Sequence, residues 1–588
     1  MRWTKVLLAA ALALGAAPAL ADGAGTDART AGTTRASRAE WDRQRELIAE
    51  RLSDARTHAA GAEFDYAYAD DAGDLDGDGK RDVVDFRWHV AETDTGYEET
   101  LRIATYRGTD GTALWNVTVP VSSFVFATPA KVGVDGKAGI VVLAFEDTGD
   151  STDVGGAWTY RTTVYSYDGA GRPLYVTPLG GSDGYTPSGY GAGYADVDEL
   201  LDAVPGGATD LLVHTEVFAG AGDPAGVVDE GRSAAQFGLL DGATGTVRPF
   251  GTPIVAEWGS GWGWTVGDLD KDGLDDVVLE AETDTGTTLT AYAAKDAAKL
   301  WTLTRRVDDG WERYLTLDDA TGDGRADFGI VTQTFGGIVI SPGKPITSSP
   351  ARSTVSLVNG ATGKVLWTKE GSRLYVLGNA DRKAGAEIAV GQSLDDGGFT
   401  VAAYTGSGRR VWSVTRRVKG GMYTSLLTVG DATGDGITDI GYGVRSGYDK
   451  GRREEGTIDG RTGRIRRDPR PELFATLSAL DGRGTDLLET SSRGGYLSLT
   501  AWNGAGSGKL WTVAVKAAGS FAATLPISLD GDKCGDVVAA LYGGNAFTDV
   551  VISGATGKPL WVLSRSGEDA PKVTKPSFKA HKVYRRSC

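Results

Sequence analysis

From Phe64 onward the chain alternates short apolar runs with turns that are rich in Gly, Asp and Thr. In one stretch the apolar positions predict four short strands, over residues 262–267, 276–282, 287–293 and 299–304. Comparable groups of four recur along the chain. Four-stranded antiparallel units that repeat with turn signals are typical of a β-propeller, so we predict an all-β propeller fold.

A Gly-rich turn followed by an apolar–aromatic pair marks the last strand of each unit. The clearest copies are residues 359–367 (NGATGKVLW) and 553–561 (SGATGKPLW). Looser copies end at Trp115, Tyr175, Val247, Trp301, Trp412, Arg464 and Trp511. These turns predict nine four-stranded blades, or eight if a terminal unit is shared or displaced.

A second repeated motif places oxygen-bearing side chains at alternate positions of a nine-residue loop. Two full copies begin at Asp74 and Asp268, two copies with Thr at the third position begin at Asp319 and Asp431, and an eroded copy begins at Ser528. The loop starts are 194, 51, 112 and 97 residues apart. These separations are near multiples of a unit of about 50–65 residues, a period typical of repeat proteins. Degenerate copies are predicted in the intervals, at residues 134–137, 196–198, 379–381 and 481–483.

The acidic loops have the ligand pattern of a calcium site. Ca²⁺ takes six to eight oxygens, which side chains at positions 1, 3, 5 and 9 and the carbonyl at position 7 supply, with Gly at position 6 for the turn. An EF-hand is excluded because position 12 is Leu279, Ile330 or Tyr442 rather than Glu. We expect structural Ca²⁺ in the two full loops and the two Thr variants, and Lys533 disfavours it in the eroded copy. The predicted ligands are Asp74, Asp76, Asp78, Lys80, Asp82, Asp268, Asp270, Asp272, Leu274, Asp276, Asp319, Thr321, Asp323, Arg325, Asp327, Asp431, Thr433, Asp435, Ile437 and Asp439.

Two family resemblances follow from these motifs. The strand–loop–strand pattern, as in DLDGDGKRDVV at residues 74–84, resembles the FG-GAP/VCBS repeats of integrin α-chain propellers and of many secreted bacterial proteins. The Gly-Ala-Pro signature of that family is absent, and Trp262-Gly263 stands near where its Phe-Gly would be. The TGKxLW turns resemble the tryptophan-docking motif of quinoprotein-type eight-bladed propellers. That resemblance implies that Trp367, Trp511 and Trp561 pack adjacent blades together.

The FG-GAP resemblance also implies where the loops lie. In that family the acidic loop joins the first and second strands of a blade. By alternation the Gly-rich turns, between strands three and four, lie at the same end. The long insertions at 146–158, 217–235, 334–352 and 445–455 then lie at the opposite end, between strands two and three. Variable loops on a rigid scaffold are the usual location of recognition.

The N-terminus has the pattern of an export signal. Arg2 and Lys5 precede an apolar run over residues 6–17, and Ala19 and Ala21 form a small-x-small cleavage site. The run is too short to span a membrane, so we expect a secreted, extracellular protein. The predicted organisation is a signal peptide at 1–21, a flexible segment with one short amphipathic helix at 22–60, the propeller at 61–565 and a basic tail at 566–588.

The composition of the chain limits the kinds of partner that it is expected to bind. The formal net charge of −17 disfavours nucleic acid and anionic membranes. Only two cysteines occur, Cys534 and Cys588, and in an exported protein we expect them to form a disulfide, the alternative being two free thiols.

Enzyme signatures are weak. The sequence contains no HExxH, nucleophile elbow or P-loop motif, and it lacks the vicinal cysteine pair common in quinone-dependent dehydrogenases. We therefore favour a monomeric binding or adhesion module for a surface glycan or protein, with no enzymatic activity. The alternatives are a polysaccharide lyase or hydrolase and, less favoured, a quinone-dependent oxidoreductase.

Overall fold

The computed structural model describes residues 64–583 apart from gaps, of which the longest are 148–159, 180–192, 219–231, 340–346, 446–452, 468–474 and 478–485. All regular structure in the described residues is β-strand. The predicted signal peptide, the predicted helix and Cys588 lie outside the described residues. Within the described part, no helix is long and apolar enough to cross a membrane.

The chain divides into two compact units. The first contains four sheets, which we number as blades 1 to 4 in chain order. Their strands are β1 (Phe64–Gly73), β2 (Asp82–Thr93), β3 (Gly96–Tyr106) and β4 (Ala113–Val121); β5 (Val125–Val132), β6 (Lys137–Asp147), β7 (Tyr160–Asp168) and β8 (Pro173–Leu179); β9 (Gly193–Leu201), β10 (Asp210–Phe218), β11 (Arg232–Leu240), β12 (Val247–Pro249) and β13 (Ile254–Glu257); and β14 (Gly261–Gly267), β15 (Asp276–Thr283), β16 (Gly286–Tyr292) and β17 (Lys299–Arg305).

The second unit contains blades 5 to 9, together with the short segments Gly79–Arg81 and Arg107–Thr112 of the first blade. Its strands are β18 (Gly310–Leu317), β19 (Asp327–Thr334), β20 (Ile338–Val339), β21 (Thr347–Ser348), β22 (Arg352–Asn359) and β23 (Lys364–Glu370); β24 (Arg373–Gly378), β25 (Glu387–Ser393), β26 (Gly398–Tyr404) and β27 (Arg410–Arg417); β28 (Tyr423–Thr428), β29 (Ile440–Arg445), β30 (Arg453–Ile458) and β31 (Ile465–Arg467); β32 (Ala475–Leu477), β33 (Asp486–Arg493), β34 (Tyr496–Trp502) and β35 (Lys509–Lys516); and β36 (Ser520–Ile527), β37 (Asp536–Gly543), β38 (Ala546–Ile552), β39 (Pro559–Ser566), β40 (Lys572–Thr574) and β41 (Phe578–Val583).

Each blade is built on four antiparallel strands that pair in chain order, with the hairpin β20–β21 inserted between β19 and β22 of blade 5. The fold is a nine-blade β-propeller. This confirms the prediction of nine rather than eight blades. The strands of blade 4 agree with those read from the apolar pattern to within one residue at each end.

Burial explains why these segments form strands. In β16 buried and half-buried residues alternate, as expected where one face packs on a core. The second strand of blade 4 is covered on both faces at Val277, Val278 and Leu279, since these consecutive side chains point to alternate faces of the sheet and all three are buried. Hydrophobic clusters join successive blades within each unit. Phe399 of blade 6 and Tyr442 of blade 7, for example, have ring centroids 4.9 Å apart.

The strand order confirms the predicted positions of the loops. The acidic loops join the first and second strands of their blades, and the Gly-rich turns join the third and fourth. All four long insertions join a second strand to a third, so in each blade they emerge at the end opposite the acidic loop. The insertion of blade 5 includes a small hairpin, β20–β21.

Two predicted boundaries differ from the structure. The degenerate copy at residues 196–198 is not a loop, because Asp196 and Val197 lie within β9 and pair with His214 and Val213 of β10. Strands also continue beyond residue 565, into the segment predicted to be a basic tail. There β40 pairs with β39 of blade 9, and β41 pairs with β35 of blade 8.

Candidate functional site

Three acidic loops bring carboxylates together in a geometry that could hold a cation. Within the described residues, three groups each have ligand oxygens that lie within 4.8 Å of one another. They are Asp74, Asp76 and Asp82 in blade 1, Asp268, Asp270 and Asp276 in blade 4, and Asp530, Asp532 and Asp536 in blade 9. Converging carboxylates with backbone carbonyls near them are the donor set that Ca²⁺ prefers.

Backbone N–H groups orient the first carboxylate of each loop. In blade 4, Asp268 accepts hydrogen bonds from the N–H groups of Lys271 at 2.6 Å and Gly273 at 3.0 Å. Gly273 at position 6 has a φ of 86°, and the corresponding Gly79, Gly324 and Gly436 have φ values of 80°, 80° and 83°. Only glycine adopts this left-handed conformation without strain, which explains its presence at the sharp turn.

The acidic residue at position 9 has a second role that the motif alone did not reveal. Asp276 is 1% exposed, and it accepts hydrogen bonds from Leu269 N in its own loop at 2.7 Å and from Ala294 N in the Gly-rich turn at 3.2 Å. Asp327, Asp439 and Asp536 bridge the same two segments. The position 9 carboxylate therefore joins the acidic loop to the Gly-rich turn of the same blade.

A buried acidic residue also begins the second strand in two blades whose loops lack most of the motif. In blade 3, Asp210 is 1% exposed and accepts a hydrogen bond from Gly242 N at 3.0 Å. In blade 6, Glu387 accepts one from Ala380 N at 2.6 Å. The signal was present in the sequence, since Asp210 and Glu387 begin the second strands of two blades that lack most of the other ligands.

Burial raises the pKa of carboxyl groups at position 9. The pKa of Asp276 is raised to about 7, mainly by burial and in addition by the nearby charges of Asp270 and Asp272, against the lowering effect of the two backbone donors. Burial likewise raises the pKa of Asp439 and of Asp536 to about 6. A bound cation would favour the ionised form, because it compensates for both the lost hydration and the carboxylate repulsion.

In blades 1 and 4 the position 5 residue does not join the three-carboxylate group, whereas in blade 9 Asp532 at position 5 does. Asp272 instead accepts a hydrogen bond from Leu274 N at 2.9 Å, and its other oxygen lies 3.8 Å from Lys295 Nζ. In blade 7, Asp435 is paired with Arg461 Nε at 2.9 Å. The prediction that positions 1, 3, 5 and 9 converge is thus met by three of the four positions in blades 1 and 4.

The Thr variants differ from the full loops. Thr321 Oγ1 lies 3.5 Å from Asp319 Oδ1, and Thr433 Oγ1 lies 3.5 Å from Asp431 Oδ1. Both oxygens of Asp319 already accept backbone N–H groups, among them Gly322 N at 2.6 Å and Gly324 N at 2.7 Å. Because Thr replaces Asp at position 3, these loops present one carboxylate fewer to a cation than the loops of blades 1 and 4.

The eroded loop of blade 9 is more complete in space than its sequence indicates. Its three carboxylates converge, and Ser528 Oγ donates to the Asp532 carbonyl at 2.7 Å, which closes the turn. Lys533, whose charge argued against a cation here, lies outside the described residues. The sequence marked this loop as eroded, because Ser528 replaces the carboxylate at position 1 and Lys533 replaces the Gly at position 6.

In blade 6, basic side chains occupy the region where a cation would be expected. Asp381 Oδ2 lies 2.9 Å from Arg409 Nη2 and 3.4 Å from Lys383 Nζ. Lys383 stands at position 5 of this degenerate copy, so an internal ion pair replaces the oxygen ligand.

Tryptophans on five of the fourth strands each donate a hydrogen bond to a turn of another blade. The indole nitrogens of Trp367 and Trp511 donate to the carbonyls of Gly406 and Gly554, at 3.0 and 2.9 Å. Trp561 donates to Gly108, in the segment of blade 1 that belongs to the second unit, at 2.7 Å. This is the packing predicted for these three tryptophans. Trp115 and Trp412, which the sequence marked only as looser copies, make the same contact.

Comparison with known proteins gives no functional assignment. No protein-family model and no curated protein matches the chain. Among solved structures it resembles a eukaryotic initiation factor (TM-score 0.40, 10% identity, covering 78% of this chain and 90% of that one). It also resembles the rhamnogalacturonan lyase YesW (0.38, 13%, 81% and 83%) and the Dos1 propeller (0.32, 9%, 73% and 88%). At these identities and TM-scores the resemblances carry no argument about activity.

Proposed function

We propose that the protein is a secreted, calcium-stabilised β-propeller that binds a cell-surface glycan or protein through the long loops between second and third strands. The observation that carries this proposal is the separation of two kinds of loop within each blade. Acidic loops occupy one end of the blades and the long insertions occupy the other. We therefore assign the structural role to the end that carries the acidic loops and cell-surface recognition to the end that carries the long insertions.

The carboxylate groups support structural calcium. Asp268, Asp270 and Asp276 would supply oxygens in blade 4, and Asp74, Asp76 and Asp82 would supply them in blade 1. Each group needs a compensating charge, because carboxylates this close repel one another and one member of each is buried. Calcium would relieve that repulsion and hold the loop against the adjacent Gly-rich turn.

Support for recognition comes from the length and position of the insertions. The loops after β6, β10, β19 and β29 are the longest connections between second and third strands, whereas other blades use short turns there. The export pattern at residues 1–21 would place such a surface outside the cell.

The proposal is tested by binding to intact bacterial cells and to a glycan array, in buffer that contains Ca²⁺. In one variant residues 219–231 are replaced by a short Gly-Ser linker, and in a second residues 340–346 are replaced. The matched control is Lys558→Ala, an exposed residue on a Gly-rich turn at the opposite end of its blade. We expect unchanged melting temperatures throughout, with binding lost in at least one loop variant and retained in the control.

Two results would overturn the proposal. One is binding that survives replacement of every long insertion, which would place recognition elsewhere. The other is turnover of a polysaccharide, seen as a fall in viscosity, without a stable complex, which would favour the alternative of a propeller enzyme.

A further inference from the structure

Blades 6 and 7 have a net positive charge, in contrast to the net negative charge of the whole chain. Residues 373–467 contain 16 Lys and Arg against 11 Asp and Glu, although the whole chain has a formal net charge of −17. Three of those acids, Asp431, Asp435 and Asp439, belong to a candidate calcium loop that a bound cation would neutralise. The surface of these two blades is therefore a local positive region on an acidic protein.

The positive charge is concentrated on the fourth strands and the turns that precede them. On β27 and β31 the exposed arginines are Arg410, Arg417, Arg466 and Arg467, and Arg464 is exposed directly before β31. We call these five residues, with the half-buried Arg416, the arginine face.

One glutamate fixes the two strands relative to each other. Arg416 forms a two-point ion pair with Glu454 of β30, with Nε–Oε1 and Nη2–Oε2 distances of 2.6 and 2.7 Å. Arg467 Nε lies 3.7 Å from the same Oε1. A single carboxylate thus lies between arginines of both blades, and its one charge is too small to balance them.

A second contact makes this surface rigid. Trp412 on β27 donates to Gly460 O in the turn before β31 at 2.9 Å. Next to that turn is a surface hollow of about 500 Å³ lined by Thr433, Asp459, Arg464, Ile465 and Arg466. Arginines held in place by neighbouring contacts lose less conformational entropy on binding than mobile ones do.

We propose that the arginine face binds an acidic polysaccharide. The arginine face lies on fourth strands and the turns before them rather than on the long insertions, so it is a second binding surface of the proposed glycan-binding propeller. The inference rests on that proposed function and narrows its ligand to an anionic class. Arginine presents a planar fork that matches carboxylate or sulfate groups in two-point hydrogen bonds. Arg464 and Arg466 are two residues apart in an extended segment, which separates them by about 7 Å and suits a polymer with regularly repeated charges.

Nucleic acid is the less suitable partner. Its phosphates are spaced about 1.7 Å apart along the duplex axis, and binding depends on neutralising many of them at once. The acidic remainder of this chain would repel such a dense polyanion at the edges of the arginine face.

The test uses the full-length protein with Ca²⁺ and polygalacturonate as the probe. The variant Arg410→Ser/Arg464→Ser/Arg466→Ser removes three exposed charges and leaves the Arg416–Glu454–Arg467 cluster intact. The matched control is Lys299→Ser/Lys364→Ser/Lys558→Ser, which removes three exposed charges from other blades. Melting temperatures report whether each variant folds, and calorimetry at low and high salt reports the Kd.

We expect the arginine variant to bind at least about tenfold more weakly than the wild type and to lose most of the salt dependence, whereas the lysine control changes Kd less than about twofold. Equal weakening in both variants, or none in the arginine variant, would overturn the proposal, as would tighter binding of single-stranded DNA than of polygalacturonate. If polygalacturonate fails to bind while cell binding through the long insertions persists, only this inference falls. Loss of both would remove the proposed function as well.

Discussion

Trp511 donates its indole N–H to the carbonyl of Gly554 across a distance of 2.9 Å, and this bond joins blade 8 to blade 9. The N–H of the same glycine donates to Asp536 Oδ1 at 2.9 Å. Trp412, Gly460 and Asp439 repeat the arrangement in blades 6 and 7. A single glycine therefore connects the acid of a candidate metal loop to the tryptophan of the preceding blade.

Replacement of Trp511 by Phe should lower the melting temperature. Trp511 is fully buried, so the variant leaves the Gly554 carbonyl without its indole donor, at a cost of about 1–3 kcal/mol. Trp115→Phe is the matched control, because Trp115 makes the same bond at 2.7 Å but is only half-buried. Thermal or urea unfolding measures both. A Trp115 variant as unstable as the Trp511 variant would contradict the importance of burial at this contact.

Two acid-to-neutral variants separate metal binding from the bridging role of position 9. Asp270→Asn should reduce the stabilisation produced by Ca²⁺ and have little effect in EDTA, since an amide oxygen can still accept the bond from Asp272 N. Asp210→Ala should cost about 1–3 kcal/mol in both media, because it leaves the buried Gly242 N–H unpaired in a blade with no predicted cation.

Unfolding curves measured with Ca²⁺ and with EDTA test whether the acidic loops bind metal. Ligands bound only by the folded state stabilise it by mass action, so the wild type should melt higher with Ca²⁺. Identical melting temperatures in the two media, with no calcium found by elemental analysis, would refute the metal sites and leave the bridging role intact.

The stability of the metal-free protein should fall as pH rises. The folded state raises the pKa of Asp276 to about 7 and those of Asp439 and Asp536 to about 6, against about 3.9 for an unfolded Asp. The folded state therefore binds more protons across the window from about pH 4 to pH 7, and the stability that protonation provides is lost as pH rises through that window. Melting temperatures in EDTA should be lower at pH 8 than at pH 5.

Calcium should remove most of this dependence, because the cation stabilises the ionised carboxylates. Asp276→Asn in EDTA should flatten the curve between pH 5 and pH 8. The opposite slope in EDTA, with stability rising over that interval, would show that the buried aspartates are already ionised in the metal-free fold.

Removal of residues 567–588 should destabilise blades 8 and 9 and promote self-association. No described residue of β35 or β39 is exposed, and Leu510 and Leu563 are almost completely buried. Without β40 and β41 both strands become uncovered edges, which pair readily with other chains. Light scattering and thermal unfolding test this, with removal of residues 584–588 as the control that keeps both strands.

Local patterns predicted much of this fold. The apolar runs around Val277 and the turn at Gly273 locate strands and loops because both depend on neighbouring residues in the sequence. The repeat spacing then predicted the number of blades. The acids at positions 1, 3 and 9 were also predicted, since the loop motif places their oxygens within one short segment.

Contacts between distant segments were not predictable in this way. Asp210 bridges to Gly242, 32 residues away, and only the folded blade brings them together. For fourth strands, β35 and β39 are unusually apolar, as Leu510, Val513 and Leu563 show. Nothing in the sequence, however, indicates which segment covers them. The pairing of Arg416 with Glu454 is likewise set by the packing of two blades. The predicted Cys534–Cys588 disulfide stays a prediction.

The strands β40 and β41 also have a consequence for biosynthesis. They follow the other described strands in the sequence, and they complete sheets whose first strands begin at Ala475 in blade 8 and at Ser520 in blade 9. Blades 8 and 9 therefore reach their final form only after β40 and β41 have been synthesised. A polypeptide that ends before residue 572, because of a nonsense codon or proteolysis, leaves β35 and β39 as uncovered edge strands. A quality-control protease can recognise such exposed edges.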